Sequence, residues 1–452
     1  MGRECRKITM AILLSLMISL ILYFYFLLIR KDLSNPGIIN LVIWLFASLG
    51  TIHFVNKWGS PLSFVTLLIL VVGLIMFSAG VSLSNSFVKT SSKKSFRSLP
   101  LVPMFFFIIV FIFFIFAYRI LSVDAFRVSV YYSQISGKPV SSNLFTAIER
   151  ARYMITNYDY SFSKGTANIL RANYSLGILT FTYYCQEYFY GKNLIQKFLF
   201  LLIALASLFI SLLSTGRTEL LGLVSGYFVI FILYYSRKYI WSGVESSSKL
   251  LKIILLYGLG AIALFLVVGD VVLNRLGSSP LDNLSKYIGS PIAGLDYFIK
   301  NQNYYLENRY FGENTFIAIY GTLKTLGIFP EQLSPFLPII NFYGTTSNVY
   351  TAYYVFIKDF GYSVAILVQF FYGIFFGTMY YIIKKNLFSP FLIMIYGLLS
   401  YGMVIMFFQE AFITLLTTHI VRLMFLLVWL ALIKILSIFK LGVHINILRN
   451  RI

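Results

Sequence analysis

Charged residues are sparse in this chain, so those set among apolar neighbours stand out as candidates for chemistry. The most compact group is Ser214-Thr215-Gly216-Arg217-Thr218-Glu219, a tight turn between two apolar stretches. An arginine in such a place is costly unless it meets water or a partner. Its planar fork can hold two phosphate oxygens at once, and Gly216 lets a ligand approach the backbone. The same residues also fit a snorkelling arginine that closes a helix end, paired with Glu219. A second group is Asn348-Val349-Tyr350-Thr351, followed by Asp359-Phe360-Gly361. Its amide, hydroxyls and carboxylate suit sugar hydroxyls. The alternative is interfacial anchoring, with Tyr353, Tyr354 and Tyr362 in an aromatic belt. Asp359-Phe360-Gly361 matches the kinase metal triplet by letters only, because no glycine-rich loop, strand lysine or HRD precedes it. His419 and Arg422 are three residues apart and share one helix face. Glu187 and Asp270 fall inside or near the ends of apolar stretches, where a charge is functional by default. His53 and His444 read as structural residues near cytoplasmic ends.

The elements that must position these residues are transmembrane helices. The chain has 452 residues, 59% hydrophobic and 12% charged, against about 45–50% and 25% for soluble domains. Mean hydropathy is +0.81. Continuous apolar runs such as Phe105–Ala117 exclude the alternating pattern of a β-barrel. The expected fold is therefore all-α: one polytopic transmembrane helix bundle over residues 1–452, with about eleven spans (ten to twelve). The spans are expected at Met10–Ile29, Ile38–Val55, Leu62–Ser82, Leu101–Tyr118, Tyr174–Tyr190, Phe198–Leu213, Leu220–Tyr235, Ile253–Leu273, Tyr362–Ile383, Phe388–Phe408 and Ile413–Phe439. The first is long enough to span and has no small-residue cleavage site after it, so no cleavable leader is expected.

A net charge of +21 does not imply nucleic acid, because the basic residues cluster in short loops, where they set orientation. One set of loops holds seventeen of them, including Arg30, Lys31, Lys89, Lys192, Arg237, Lys384 and Lys440; the opposite short loops hold Lys57 and Arg217. The first set is expected in the cytoplasm, with the C-terminus. Eleven spans then leave Arg3, Arg6 and Lys7 outside, against the rule, unless a helix near the start is miscounted or translation begins at Met10. Two long loops fall on the outer face, 119–173 and 274–361, and both are expected to contain short helices. In the first, residues 143–158 carry Leu144, Ile148, Ala151 and Ile155 at helical spacing, as in an amphipathic helix on the membrane surface. The second carries six basic and six acidic residues and many aromatics, which suits one wall of a site for sugar rings; the alternative is a cap over the bundle. Cys5 and Cys185 are the only cysteines, and they suggest neither a disulfide nor a zinc site.

Taken in order, Lys31-Asp32-Leu33-Ser34-Asn35-Pro36, the Thr-Gly-Arg-Thr turn, Tyr287-Ile288-Gly289-Ser290-Pro291, and Asn348-Val349-Tyr350-Thr351 leading to Asp359-Phe360-Gly361 resemble the oligosaccharide repeat-unit polymerases, the Wzy-type O-antigen polymerases. The resemblance implies a glycosyltransferase of lipopolysaccharide biosynthesis at the periplasmic face of the bacterial inner membrane. It would transfer a growing glycan from undecaprenyl pyrophosphate to a new lipid-linked repeat unit. Its partners would be those two lipid-linked glycans, membrane lipids and a chain-length regulator protein; no cofactor and no nucleic acid are implied. A pyrophosphate leaving group gains charge as its bond breaks, so aimed cations lower the barrier. Arg217 and then Arg275 are the expected catalytic cations. Arg150 and Arg152 would hold the acceptor pyrophosphate or, equally, lipid headgroups. Asn348, Tyr350, Thr351, His419 and Arg422 would bind substrate. The base is expected among Asp359, Glu313 and Glu410. No dense Asp/Glu/His cluster occurs, so activity is expected to be metal-independent. The related O-antigen ligases share the arginine turn but place a histidine where this chain has Ser347. A ligase-like transferase and a lipid-linked oligosaccharide flippase are the competing readings; the flippase is disfavoured by the lack of internal repeats.

Overall fold

A chain this apolar has to satisfy its backbone within its own helices, and the computed structural model is built almost entirely that way. It describes residues 2–29, 31–89, 95–96, 99–100, 102–158, 160–214, 217–243, 247–267, 280–301, 308–331, 333, 337–385 and 387–449. Within these the helices are α1 (Gly2–Leu28), α2 (Pro36–Trp58), α3 (Phe64–Phe87), α4 (Met104–Ser136), α5 (Leu144–Asn157), α6 (Lys164–Phe189), α7 (Leu194–Leu212), α8 (Arg217–Tyr235), α9 (Ser247–Val267), α10 (Pro280–Lys300), α11 (Ile317–Thr325), α12 (Tyr353–Lys385), α13 (Pro390–Val404) and α14 (Leu416–Arg449). Among the described residues, eight are long and apolar enough to cross a membrane: α1 to α4, α7, α8, α12 and α14. The other three expected spans fall on α6, α9 and α13, which are helical but outside those eight, α13 being shorter at 15 residues. Two minimal ladders accompany the helices. Strands β1 (Ser95–Phe96) and β4 (Leu387–Phe388) pair in parallel, and β2 (Ile340–Phe342) and β3 (Thr345–Ser347) form an antiparallel hairpin with Ile340 opposite Ser347.

Both expected long loops are more structured than their hydropathy implies. Helix α4 continues 18 residues past Tyr118 to Ser136. At about 1.5 Å per residue its 33 residues reach some 50 Å, well beyond a core of about 30 Å. The polar residues Arg119, Asp124 and Arg127 end the hydropathy signal, not the helix. The short helix expected at 143–158 is α5, capped by the Asn143 side chain on Phe145 N at 2.9 Å. Its apolar face is Ala147, Ile148, Ala151 and Met154, and it packs on Leu121, Ala125 and Val128 of α4. That face is taken up by α4.

In the second loop α10 is part of the bundle. Ile292, Ala293 and Leu295 are fully buried, the backbone of Gly289 lies against Gly50 of α2, and Thr51 Oγ1 donates to Gly289 O at 3.3 Å. Asp296 accepts from Ser63 N and Thr66 Oγ1, both at 2.7 Å, and so fixes the first turn of α3. His53 sits near the end of α2 away from Lys31, beside Asp282 at 3.4 Å. The side chain of His444 lies outside the described residues.

Helix α12 is two helices. Gly361 breaks it with φ 83° and ψ 180°, a conformation close to glycine-only. Phe356 and Tyr372 are sixteen positions apart, about 24 Å along a continuous helix, yet their ring centroids are 6.0 Å apart. The arm Tyr353–Phe360 is therefore folded back against Tyr362–Lys385. The long arm runs along α3 so closely that a Cβ on Gly373 would collide with the carbonyl of Phe77. The short arm starts beside Trp44 and Gly73, near the middles of α2 and α3. The chain thus reaches the middle of the bundle in extended form at 348–352, climbs one short helix, turns at Gly361 and crosses. A second irregular stretch, 405–415, meets it there, with Ala352 N donating to Met406 O at 2.8 Å.

At the end of the bundle where α1 meets α2, Asp32 is buried in a polar knot. It accepts from Ser34 Oγ at 2.6 Å and Ser34 N at 3.2 Å, and from Tyr380 Oη and Lys384 Nζ of α12. Asn35 caps α2 through Gly37 N at 2.9 Å and also bonds Tyr25 and Tyr381. The Lys-Asp-Leu-Ser-Asn-Pro segment is in this way the clasp between the first helix pair and α12.

Candidate functional site

The opposite end holds a different charge cluster. Arg422 lies on α14, 3% exposed, where a charge needs partners to be tolerated. Its Nη2 donates to Glu219 Oε2 of α8 at 2.6 Å, and its guanidinium stacks 3.8 Å over the Tyr174 ring of α6, a cation–π contact. Ser175 Oγ donates to the Arg422 carbonyl at 2.6 Å. The remaining nitrogens Nε and Nη1 are buried with no hydrogen-bond partner among the described residues, as is Tyr174 Oη. Arg171, one turn before Tyr174, lies close enough to feel the charges of both Arg422 and Glu219. Of these two arginines, Arg422 makes the ion pair with Glu219, at 2.6 Å, and Arg171 interacts with that carboxylate at longer range. Arg217 opens α8 two residues before Glu219, although its own side chain is outside the described set.

His419 lies one turn before Arg422, 1% exposed. Its Nε2 is 2.9 Å from Ala411 O in the 405–415 stretch. A carbonyl can only accept, so Nε2 carries the proton and a neutral ring leaves Nδ1 as an acceptor. Nδ1 is buried and bonds to nothing else among the described residues. The structure therefore places His419, Arg422 and the start of α8 together, with Tyr174 and Arg171 as members that sequence reasoning did not select and with Glu219, read there as a partner for Arg217, paired with Arg422.

The other expected residues are elsewhere. Asp359 stands at the tip of the α12 fold-back and accepts from Asn308 Nδ2 at 3.1 Å, Asn314 Nδ2 at 2.7 Å and Thr315 N at 2.7 Å. It holds the 308–315 segment to the tip. Glu313 caps the turn at Arg309 and Tyr310. Glu410 accepts from Tyr372 Oη at 2.7 Å and from Phe412 N, Ile413 N and Thr414 N at 2.7–2.9 Å. All three expected bases thus organise loops. Arg150 donates to Pro139 O at 2.6 Å and sits 5.3 Å from the Tyr132 ring; Arg152 is beside it on α5, partly buried. Asn348 is exposed. Tyr350 is buried, donates to Pro338 O at 3.0 Å and stacks on Tyr354 at 4.2 Å. Thr351 is buried with Oγ1 unpartnered among the described residues, next to the Ala352–Met406 junction. Arg275 and Asp270 lie outside the described residues.

What the cluster can do chemically is bind an anion. A buried guanidinium with two free donor positions and a second arginine nearby suit a phosphate group in a site of low polarity, while the acceptor Nδ1 of His419 suits a hydroxyl donor. Fold and site together define a helix bundle of membrane-spanning character with a cationic cluster inside one end. Compared with protein-family models, with curated proteins and with solved structures, the chain matches none.

Proposed function

We propose that this protein is a membrane glycosyltransferase that polymerises undecaprenyl-pyrophosphate-linked oligosaccharide repeat units into O-antigen or a related surface polysaccharide. The observation that carries the reading is Arg422: a buried arginine that Glu219 satisfies at only one nitrogen, at the same end of the bundle as the Arg217 turn. In this reading Arg422, Arg217 and Arg171 receive the donor pyrophosphate and stabilise it as charge develops. His419 Nδ1 receives the proton of the acceptor hydroxyl. About eleven segments cross the bacterial inner membrane, α6, α9 and α13 among them, with the C-terminus in the cytoplasm and the Arg422 end towards the periplasm; the distribution of basic residues supports this orientation. Deletion of the gene in its native bacterium tests the function. Lipopolysaccharide carrying a single repeat unit is the expected phenotype, and lipopolysaccharide with none would refute polymerisation in favour of ligation or transport.

The fold-back at Gly361 favours a second reading, a transporter of lipid-linked oligosaccharide. Irregular backbone deep in a bundle is a feature of transporters, where it surrounds a substrate near the midplane. Reconstituted protein separates the two: a transferase lengthens lipid-linked glycan on one side of a vesicle, and a transporter moves unaltered substrate across it.

A further inference from the structure

Residues 311–329 carry a local structure that protein alone does not explain. Helix α11 is nine residues long with none buried, and a helix that short is marginal in water. The segment is nevertheless apolar: Phe311 is 76% exposed, Leu326 66% and Ile328 68%. Internally it is well made. Tyr310, Tyr320 and Phe329 form an aromatic trio with centroids 4.8–6.1 Å apart, Tyr320 Oη donates to Phe311 O at 2.8 Å, and Gly327 closes the helix with φ 75°.

Its depth follows from its attachments. Phe311 and Phe316 pack on Phe360, and Thr315 is held by Asp359, at the tip of the α12 fold-back. That tip is seven residues, about 10 Å, above Tyr353, which lies near the middle of α2 and α3. The edge of a hydrocarbon core of about 30 Å is some 15 Å from its middle. The segment's attachment is therefore within about 5 Å of the boundary between acyl chains and headgroups, on the acyl side. Helix α11 also packs against α14, whose Ile420, Met424 and Val428 are exposed apolar residues on a candidate span.

We propose that residues 311–329 form an interfacial arm seated in the lipid boundary at the Arg422 end of the bundle. Phe311, Leu326 and Ile328 enter the upper acyl region, and the exposed Lys324 lies at phosphate level. The arm continues the lipid-facing surface of α14, the helix that carries Arg422. The proposal requires that the bundle crosses a bilayer and does not depend on the transferase reading.

The test uses the full-length protein in phospholipid nanodiscs with Cys5→Ser. Leu326→Cys and Ile328→Cys, each labelled with an environment-sensitive fluorophore, are compared with Lys138→Cys at an exposed loop position. Expected at both arm positions are blue-shifted emission, about twofold or greater quenching by nitroxides on upper acyl carbons, and protection from iodide. Aqueous emission with iodide quenching at both would overturn the proposal. Protection from both quenchers would also overturn it, because that result places the arm against protein.

Discussion

Each end of the bundle buries a charge, and the two are handled differently. Asp32 is surrounded by partners: a lysine, a tyrosine, a serine hydroxyl and a backbone N–H all converge on its carboxylate. Arg422 has one carboxylate and an aromatic face, with two nitrogens left over. A buried charge that is fully matched contributes to fold specification, and removing one partner is strongly destabilising. A buried charge left half matched is a poor structural element and a good receptor for a ligand of opposite sign. On the proposed function the first end is architecture and the second carries the chemistry, a contrast that can be broken by substitutions that separate accumulation from product.

The largest effect is expected for Arg422→Ala. Product per molecule should fall about 10²–10³-fold, the range for losing a group that stabilises developing charge, while the protein still accumulates in the membrane. Arg422→Lys should not restore it fully, because an ammonium cannot reproduce the guanidinium fork; Arg217→Ala and Arg217→Lys should behave alike. Normal chain lengths in either alanine variant would remove that arginine from the site. Asp32→Ala should do the reverse. It strands Lys384 and should cost about 3 kcal/mol of stability, near the lower end for a broken buried pair, since Lys384 retains some water contact. Thermal unfolding of detergent-purified protein reads this directly; a stable but inactive Asp32→Ala protein would invert the assignment of the two ends.

Gly361→Ala should cost about 1–3 kcal/mol, the strain of forcing a side chain into that backbone conformation. Its thermal midpoint should fall less than that of Asp32→Ala, and an unchanged midpoint would show that the turn does not need glycine. The smallest effect is expected for Tyr174→Leu, which removes the ring under Arg422. A cation–π contact contributes about 1–2 kcal/mol in a desolvated site, so product should fall about five- to thirtyfold with accumulation unchanged. No loss of product would show that Glu219 alone positions Arg422.

Hydropathy made the membrane-spanning helices legible, because composition alone decides whether about 20 residues can cross lipid. It failed where helix and hydropathy part company. Helix α4 runs on through Arg119 and Asp124 because its far half packs on α5 instead of lipid. Helix α10 falls in a segment whose sequence predicts a long loop with short helices rather than part of the bundle, because its Lys and Asp residues mask a buried face that needs α2 beside it. The expected span starts at Tyr362, just past the Gly361 turn, but no hydropathy signal shows that Tyr353–Phe360 is a helix folded back against it. At the site, the three-residue spacing of His419 and Arg422 was visible on one helix. Glu219 and Tyr174 lie some two hundred positions or more from Arg422, and no local pattern announces a pairing that tertiary packing creates. Asp359 was visible as a polar residue at a boundary, but its use as a tie for the 308–315 segment depends on donors supplied by residues the sequence presents as ordinary loop.

The α12 fold-back also bears on how the chain can be inherited and edited. An arm that goes in and returns to the face it came from leaves the parity of crossings untouched. Its length can change, or the arm can be lost and regained, without inverting α13 or α14. A gain or loss of any complete crossing upstream would invert α13 and α14, and Arg422 with them. The short arm is therefore a region where lineages can vary the interior of the bundle while the sidedness of everything downstream stays the same.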